Sequence, residues 1–105
     1  MRTIVVTRHM ALVRLLIERR VVPPDVRVIP HVGDPDEVAG QHVVLDEALP
    51  LHIAARAASV TEVPLALAPE DRRGNYLTLA RLRQIAGAPR TYVVREIDDG
   101  GLTCW

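Results

Sequence analysis

The chain has 105 residues, 49% of them hydrophobic and 25% charged, which suits one domain with one real core and excludes the low-hydrophobicity, high-charge class of disordered chains. Formal net charge is zero, which argues against a broad electrostatic footprint for duplex DNA or a membrane surface; aromatic residues at 3%, with no Phe, leave little on which to stack single-stranded nucleic acid. All 13 basic residues are Arg, so any local basic contact uses a planar, permanently charged fork suited to phosphate.

Thr3-Ile4-Val5-Val6 is a β-branched run that predicts a strand buried on both faces. Met10 to Arg20 predicts a helix, because Leu12, Val13, Leu15, Leu16 and Ile17 form one apolar face while Arg14, Glu18 and Arg19 fall outside it. Pro23-Pro24 stops that helix, and Val26 to Ile29 reads as the second strand. The turn-rich segment Gly33 to Glu37 and the Gly40-Gln41 turn lead to a third strand, His42 to Leu45. Pro50 opens a short Ala-rich helix over Leu51 to Ala58, proline being well suited to the first helical position. Val60 to Leu67 is apolar and interrupted by Pro64, which predicts a strand that ends in a loop. Pro69 to Tyr76 reads as a polar loop. Thr78 caps a helix over Leu79 to Ala86, with Gly87 and Pro89 as its exit. Thr91 to Ile97 is the last strand, which Asp98 to Gly101 can turn into a C-terminal hairpin with Leu102 to Trp105. Strands alternating with helices predict a single α/β domain over residues 1–105, Rossmann-like, with a mainly parallel sheet of four to five strands flanked by helices.

Cys104 is the only cysteine, so neither an intrachain disulfide nor a Cys-based zinc site is available, and a reducing cytoplasm is the expected location. No apolar stretch approaches the roughly 20 residues of a membrane span, so no membrane partner is expected. Carboxylates and histidines never fall at a metal-ligand spacing such as H-E-x-x-H, and neither G-x-G-x-x-G, a P-loop nor G-x-S-x-G occurs. Neither a metal nor a cofactor is expected.

In open α/β sheets ligands bind beyond the carboxyl ends of the strands, near the point where strand order reverses. Thr7, Arg8 and His9 follow the first strand; Pro30 and His31 follow the second; Asp46, Glu47, Leu49 and Pro50 follow the third, with His52 in the next helix's first turn. His42 begins its strand and is expected at the opposite end. A helix beginning after His9 offers free backbone amides to an anion, and Arg8 adds a bidentate phosphate contact. Leu49 has no side-chain acceptor, so the amides of Leu51 and His52 are open to water, another chain or a phosphate. The Pro69 to Tyr76 loop is either a solvated surface or a lid that lays Arg72 or Arg73 over a phosphate and offers Asn75 or Tyr76 to a base or ribose. The candidates are therefore Arg8, His9 and His52 for catalysis, and Thr7, Arg8, Met10, Pro50, Leu51, Arg72, Arg73 and Asn75 for ligand binding. Against each stands a blander role: a surface ion pair for Arg8, capping or packing for the histidines.

The stretch Val6-Thr7-Arg8-His9 is similar to the R-H-G start of histidine phosphatases, but Met10 replaces the glycine and 105 residues are too few for that domain. A match over most of the chain is better. Val5-Val6-Thr7-Arg8-His9 before an apolar helix, then Leu49-Pro50-Leu51-His52-Ile53-Ala54-Ala55, then Val63-Pro64-Leu65 running through Pro69-Glu70 to Arg73-Gly74, with Leu77-Thr78 opening the next helix, resembles a family of small CRISPR-associated proteins of type III systems. That family carries a V-T/S-R-H start, an L-P-x-H/N-x-A-A segment and an R-G segment. It commonly has Pro-Gly-Ala after the R-H pair and a glycine shortly before the L-P pair, where this chain has Met10-Ala11 and Asp46-Glu47-Ala48. The resemblance implies a sensor-domain-like Rossmann fold and a standalone ring nuclease that cuts cyclic oligoadenylate, cyclic tetra-adenylate being the expected ring, without metal, and so switches off antiviral signalling. It also implies a homodimer, since a ring with rotational symmetry suits a two-fold shared site. A noncatalytic sensor or sponge for the same ligand is the alternative.

Overall fold

A computed structural model describes residues 2–73 and 77–97. Among them the order is β1 (Thr3–Val6), α1 (Met10–Glu18), β2 (Arg27–Ile29), a 3-10 turn (Pro35–Glu37), β3 (His42–Leu45), α2 (Leu51–Ala54), β4 (Ser59–Glu62), α3 (Pro69–Arg73), α4 (Leu79–Ile85) and β5 (Arg90–Tyr92). The strands form one sheet in the order β2-β1-β3-β4-β5. The first four run parallel; β5 is antiparallel to β4, so the sheet is mixed.

Two apolar layers cover the sheet, and the alternation of side chains decides which residue joins which. Val5, Val44 and Val63 pack with Leu12, Leu15 and Leu16 of α1 and Leu82 and Ile85 of α4. Ile4, Val43, Leu45 and Val60 pack with Val38 and with Ile53, Ala54 and Ala57 of the α2 region. The small aliphatic core predicted by the composition is thus split between two faces. α1 and α4 lie side by side, joined by the Arg83 fork on Glu18, with contacts of 2.6 and 3.0 Å.

Element ends differ from the sequence expectation for identifiable reasons. α1 stops at Glu18, short of Arg20, because Arg20 takes a left-handed φ of 60° and the chain closes with Val21 N to Leu16 O and Arg20 N to Ile17 O, the paired bonds of a Schellman ending. α2 covers four residues, not the eight expected, because the backbone beyond it is claimed by the turn before β3: Gly40 N donates to Arg56 O and Ala58 N to Gln41 O. Pro50 stands at its N-cap and not inside its first turn. β4 starts one residue early at Ser59 and ends at Glu62, and the stretch to Leu67 is no longer strand. There Pro64 lacks an N–H, and its carbonyl instead receives Gly87 N. β5 is only Arg90–Tyr92, since its partner strand starts one residue before Val60, the partner of Tyr92. The expected polar loop is helical over Pro69–Arg73: Pro69 occupies the first helical position, and Asp71 accepts Ala68 N at 2.8 Å while holding the Arg81 fork at 2.7 and 2.9 Å. The C-terminal hairpin over 98–105 lies outside the described residues.

Candidate functional site

The order 2-1-3-4-5 puts the reversal of strand order between β1 and β3, because the chain leaves β1 through α1 on one face and leaves β3 through α2 on the other. The crevice beyond their carboxyl ends is where an open α/β sheet binds its ligand.

Thr7 shapes the first wall. Its amide extends the β1–β2 ladder by donating to Ile29 O at 3.0 Å, its side chain is buried, and its Oγ1 accepts the His9 amide at 3.0 Å. This tight side-chain turn lets the strand pass into α1 without a glycine. It leaves Arg8 exposed and His9 half-buried at the helix N-cap, with no side-chain cap on the helix. Leu12 N bonds His9 O, while the amides of Met10 and Ala11 have no acceptor among the described residues. The positive end of α1 therefore opens into the crevice.

Two clefts meet at Arg8. One of about 380 Å³ is lined by Arg8, His9, Met10, Ala11 and Arg14, with Leu77 and Leu79 opposite. The other, of about 170 Å³, lies between Arg8 and His31 on one side and Glu47, Leu49 and Pro50 on the other. Neither Arg8 nor Arg14 forms an ion pair with another described residue, so both forks are available to an anion. Arg14 was not among the candidates from sequence. Its signal was its place one helical turn beyond Met10, on the polar side of the α1 pattern.

At the end of β3, Asp46 is the second group that sequence reasoning located without giving it a role. Its Oδ1 is shielded from solvent and has no hydrogen-bond partner among the described residues. Burial pushes the carboxyl above its ordinary value, opposed by its own backbone amide, by His9 and by the Thr7 hydroxyl, while the neighbouring Glu47 adds to the rise. A buried acceptor left unmade costs about 1–3 kcal/mol, so this is a place where the fold gives up stability.

The other candidates separate. Pro50 lines the smaller cleft beside Arg8. Leu51 is 73% exposed, and its amide and that of His52 have no acceptor among the described residues. His52 turns to a different groove, formed with Arg56, Val94, Arg95 and Ile97, so α2 does not carry it to Arg8 and His9. His42 lies at the amino end of β3, bonded to Ser59, away from the crevice as expected. Arg72 and Arg73 belong to α3, and Asn75 and Tyr76 lie outside the described residues. Among the described residues no group of three or more His, Cys, Asp or Glu is placed to hold a metal, and no helix is long and apolar enough to cross a membrane.

No protein-family model, curated protein or solved structure matches the chain.

Proposed function

We propose that the crevice between β1 and β3 binds a cyclic oligoadenylate, most naturally the tetra-adenylate ring, and that the protein cleaves it to linear products, acting as a ring nuclease that switches off type III CRISPR signalling in the cytoplasm. The observation that carries the reading is Arg8: a free guanidinium at the strand-order reversal, shared by two adjoining clefts and set beside the open amides of α1. That constellation suits a phosphodiester. The adenylate ring itself comes from the resemblance of the Thr7-Arg8-His9 and Leu49 to Ala55 segments to the CRISPR-associated family.

In this reading the ribose 2′-hydroxyl attacks the adjacent phosphorus, the bond from phosphorus to the 5′-oxygen breaks, and the products are a 2′,3′-cyclic phosphate and a 5′-hydroxyl. The proton leaves the 2′-oxygen and one is returned to the 5′-oxygen. Arg8, Arg14 and the Met10 and Ala11 amides neutralise charge on the phosphoryl oxygens, and His9 is the one histidine placed beside them to move a proton. A two-fold dimer would present this set twice to a symmetric ring.

A second reading, capture of the ring without turnover, is favoured by one observation: His52 faces the outer groove, leaving a single histidine at the larger cleft. Native gel shifts with labelled cyclic tetra-adenylate, competed by cyclic hexa-adenylate and by linear tetra-adenylate, test the shared core of both readings. A shift that the linear competitor fails to reverse supports them. Absence of any shift with either ring sinks both.

A further inference from the structure

The proposed chemistry leaves Asp46 unused, although it stands at the same strand-order reversal. Its Oδ1 is enclosed and lacks a donor among the described residues. The groups that act on it are the Thr7 hydroxyl, His9 and Glu47. Thr7 Oγ1 already accepts the His9 amide at 3.0 Å. A hydroxyl accepts on its lone pairs and has one proton to donate, so with the acceptor side taken by His9 the Thr7 proton is directed elsewhere, and the carboxylate beside it is the acceptor at hand.

We infer that Asp46 is a positioning residue for the anion site: it aligns the Thr7 hydroxyl, which in turn holds the His9 amide and so fixes the turn that presents Arg8 and the first amides of α1. Asp46 touches no phosphate in this scheme. The inference rests on the reading of the crevice as a phosphodiester site.

Electrostatics alone argues in the opposite direction, which makes the inference testable by sign. A carboxylate close to an anion site repels the anion, so deleting it should tighten binding. Alignment requires that deleting the acceptor weaken binding despite the lost repulsion. Inorganic phosphate is titrated into the full chain by NMR for the wild type, Asp46→Ala, Asp46→Asn, Glu47→Gln, Thr7→Val and Thr7→Ser. Asp46→Ala and Thr7→Val are each expected to weaken phosphate affinity about fivefold, the size of one lost hydrogen bond, and the double variant to be no weaker than either alone. Asp46→Asn, which keeps an acceptor, and Thr7→Ser, which keeps the hydroxyl, restore affinity, so the loss is not general unfolding. Glu47→Gln, exposed and outside the relay, leaves affinity unchanged or tightens it. Tighter phosphate binding by Asp46→Ala, or multiplicative losses in the double variant, overturns the inference. Hydrogen exchange at the His9 amide, which needs no ligand, is expected to accelerate in Asp46→Ala, and unchanged exchange also overturns it. If the wild type fails to bind phosphate, the phosphodiester reading falls, and the exchange measurement alone then decides whether Asp46 holds the turn.

Discussion

Replacing Asp46 by asparagine should stabilise the fold at neutral pH. In the folded chain burial holds this carboxyl above its ordinary value, and its Oδ1 is shielded without a donor. An acid whose folded pKa is raised carries no penalty below the unfolded value, where it is neutral in both states. As pH rises from that value through the raised folded one, the unfolded chain ionises first and stability falls. Above both, the charged carboxyl remains buried at a fixed cost. Asparagine keeps the shape and an acceptor oxygen but never ionises, so the variant escapes this loss. An unmade buried bond costs about 1–3 kcal/mol, part of which an amide retains; a gain of about 1 kcal/mol is the working figure. For a domain of this size that corresponds to a rise in Tm of about 4–8 °C. Urea and thermal unfolding of both proteins, at neutral pH and again below the ordinary aspartate value, read the effect directly. The two curves should converge in acid. A variant less stable than the wild type at neutral pH would refute the reasoning, showing that the Thr7 hydroxyl, His9 and the backbone amide outweigh burial.

Arg8→Ala should weaken binding of labelled cyclic tetra-adenylate at least about tenfold, the size of one charge-assisted bidentate contact, whereas His42→Ala, at the far end of the sheet, should leave it unchanged in the same gel shift; equal losses would show that the wrong end of the sheet has been chosen. Arg20→Gly should raise stability by about 1 kcal/mol in urea unfolding, because a left-handed φ of 60° strains any residue with a Cβ and glycine suits the residue after a Schellman cap. Asp71→Asn should loosen α3, seen as faster exchange of the Ala68 amide. The Arg81 fork and the Ala68 amide hold the Asp71 carboxyl below its ordinary value, so the stability it contributes is present above the unfolded value and vanishes as pH falls through the lowered folded one. A gap between wild type and variant that does not narrow in acid would contradict that assignment.

The parts of the fold legible in the sequence are those where local pattern and tertiary need agree. Thr3 to Val6 and His42 to Leu45 are strands with the expected bounds, since their residues alternate between the two cores and both faces are buried. The start of α1 and the Thr78 cap of α4 are likewise set by local chemistry, the latter through Arg81 N on the Thr78 side chain at 3.1 Å. What escaped was decided by partners distant in sequence. The length of α2 depends on Gly40 and Gln41, and the short β5 depends on where β4 starts. The α3 helix had a readable signal in Pro69 followed two residues later by Asp71, overridden by the polar look of the segment. At the site, Thr7, Arg8, His9 and Met10 were legible because the turn after a first parallel strand is the expected anion crevice. Asp46 and Arg14 were not, since a carboxylate's burial and an arginine's lack of a partner are properties of packing. His52 shows the converse: its place in a first helical turn was read correctly, but the direction of its side chain is set by how α2 rolls on the sheet.

Incubation of the purified protein with labelled cyclic tetra-adenylate in the presence of EDTA tests the central claim most directly. The account predicts linear products ending in a 2′,3′-cyclic phosphate, formed by the wild type and lost in Arg8→Ala. An intact ring that neither shifts in a native gel nor yields product would contradict it.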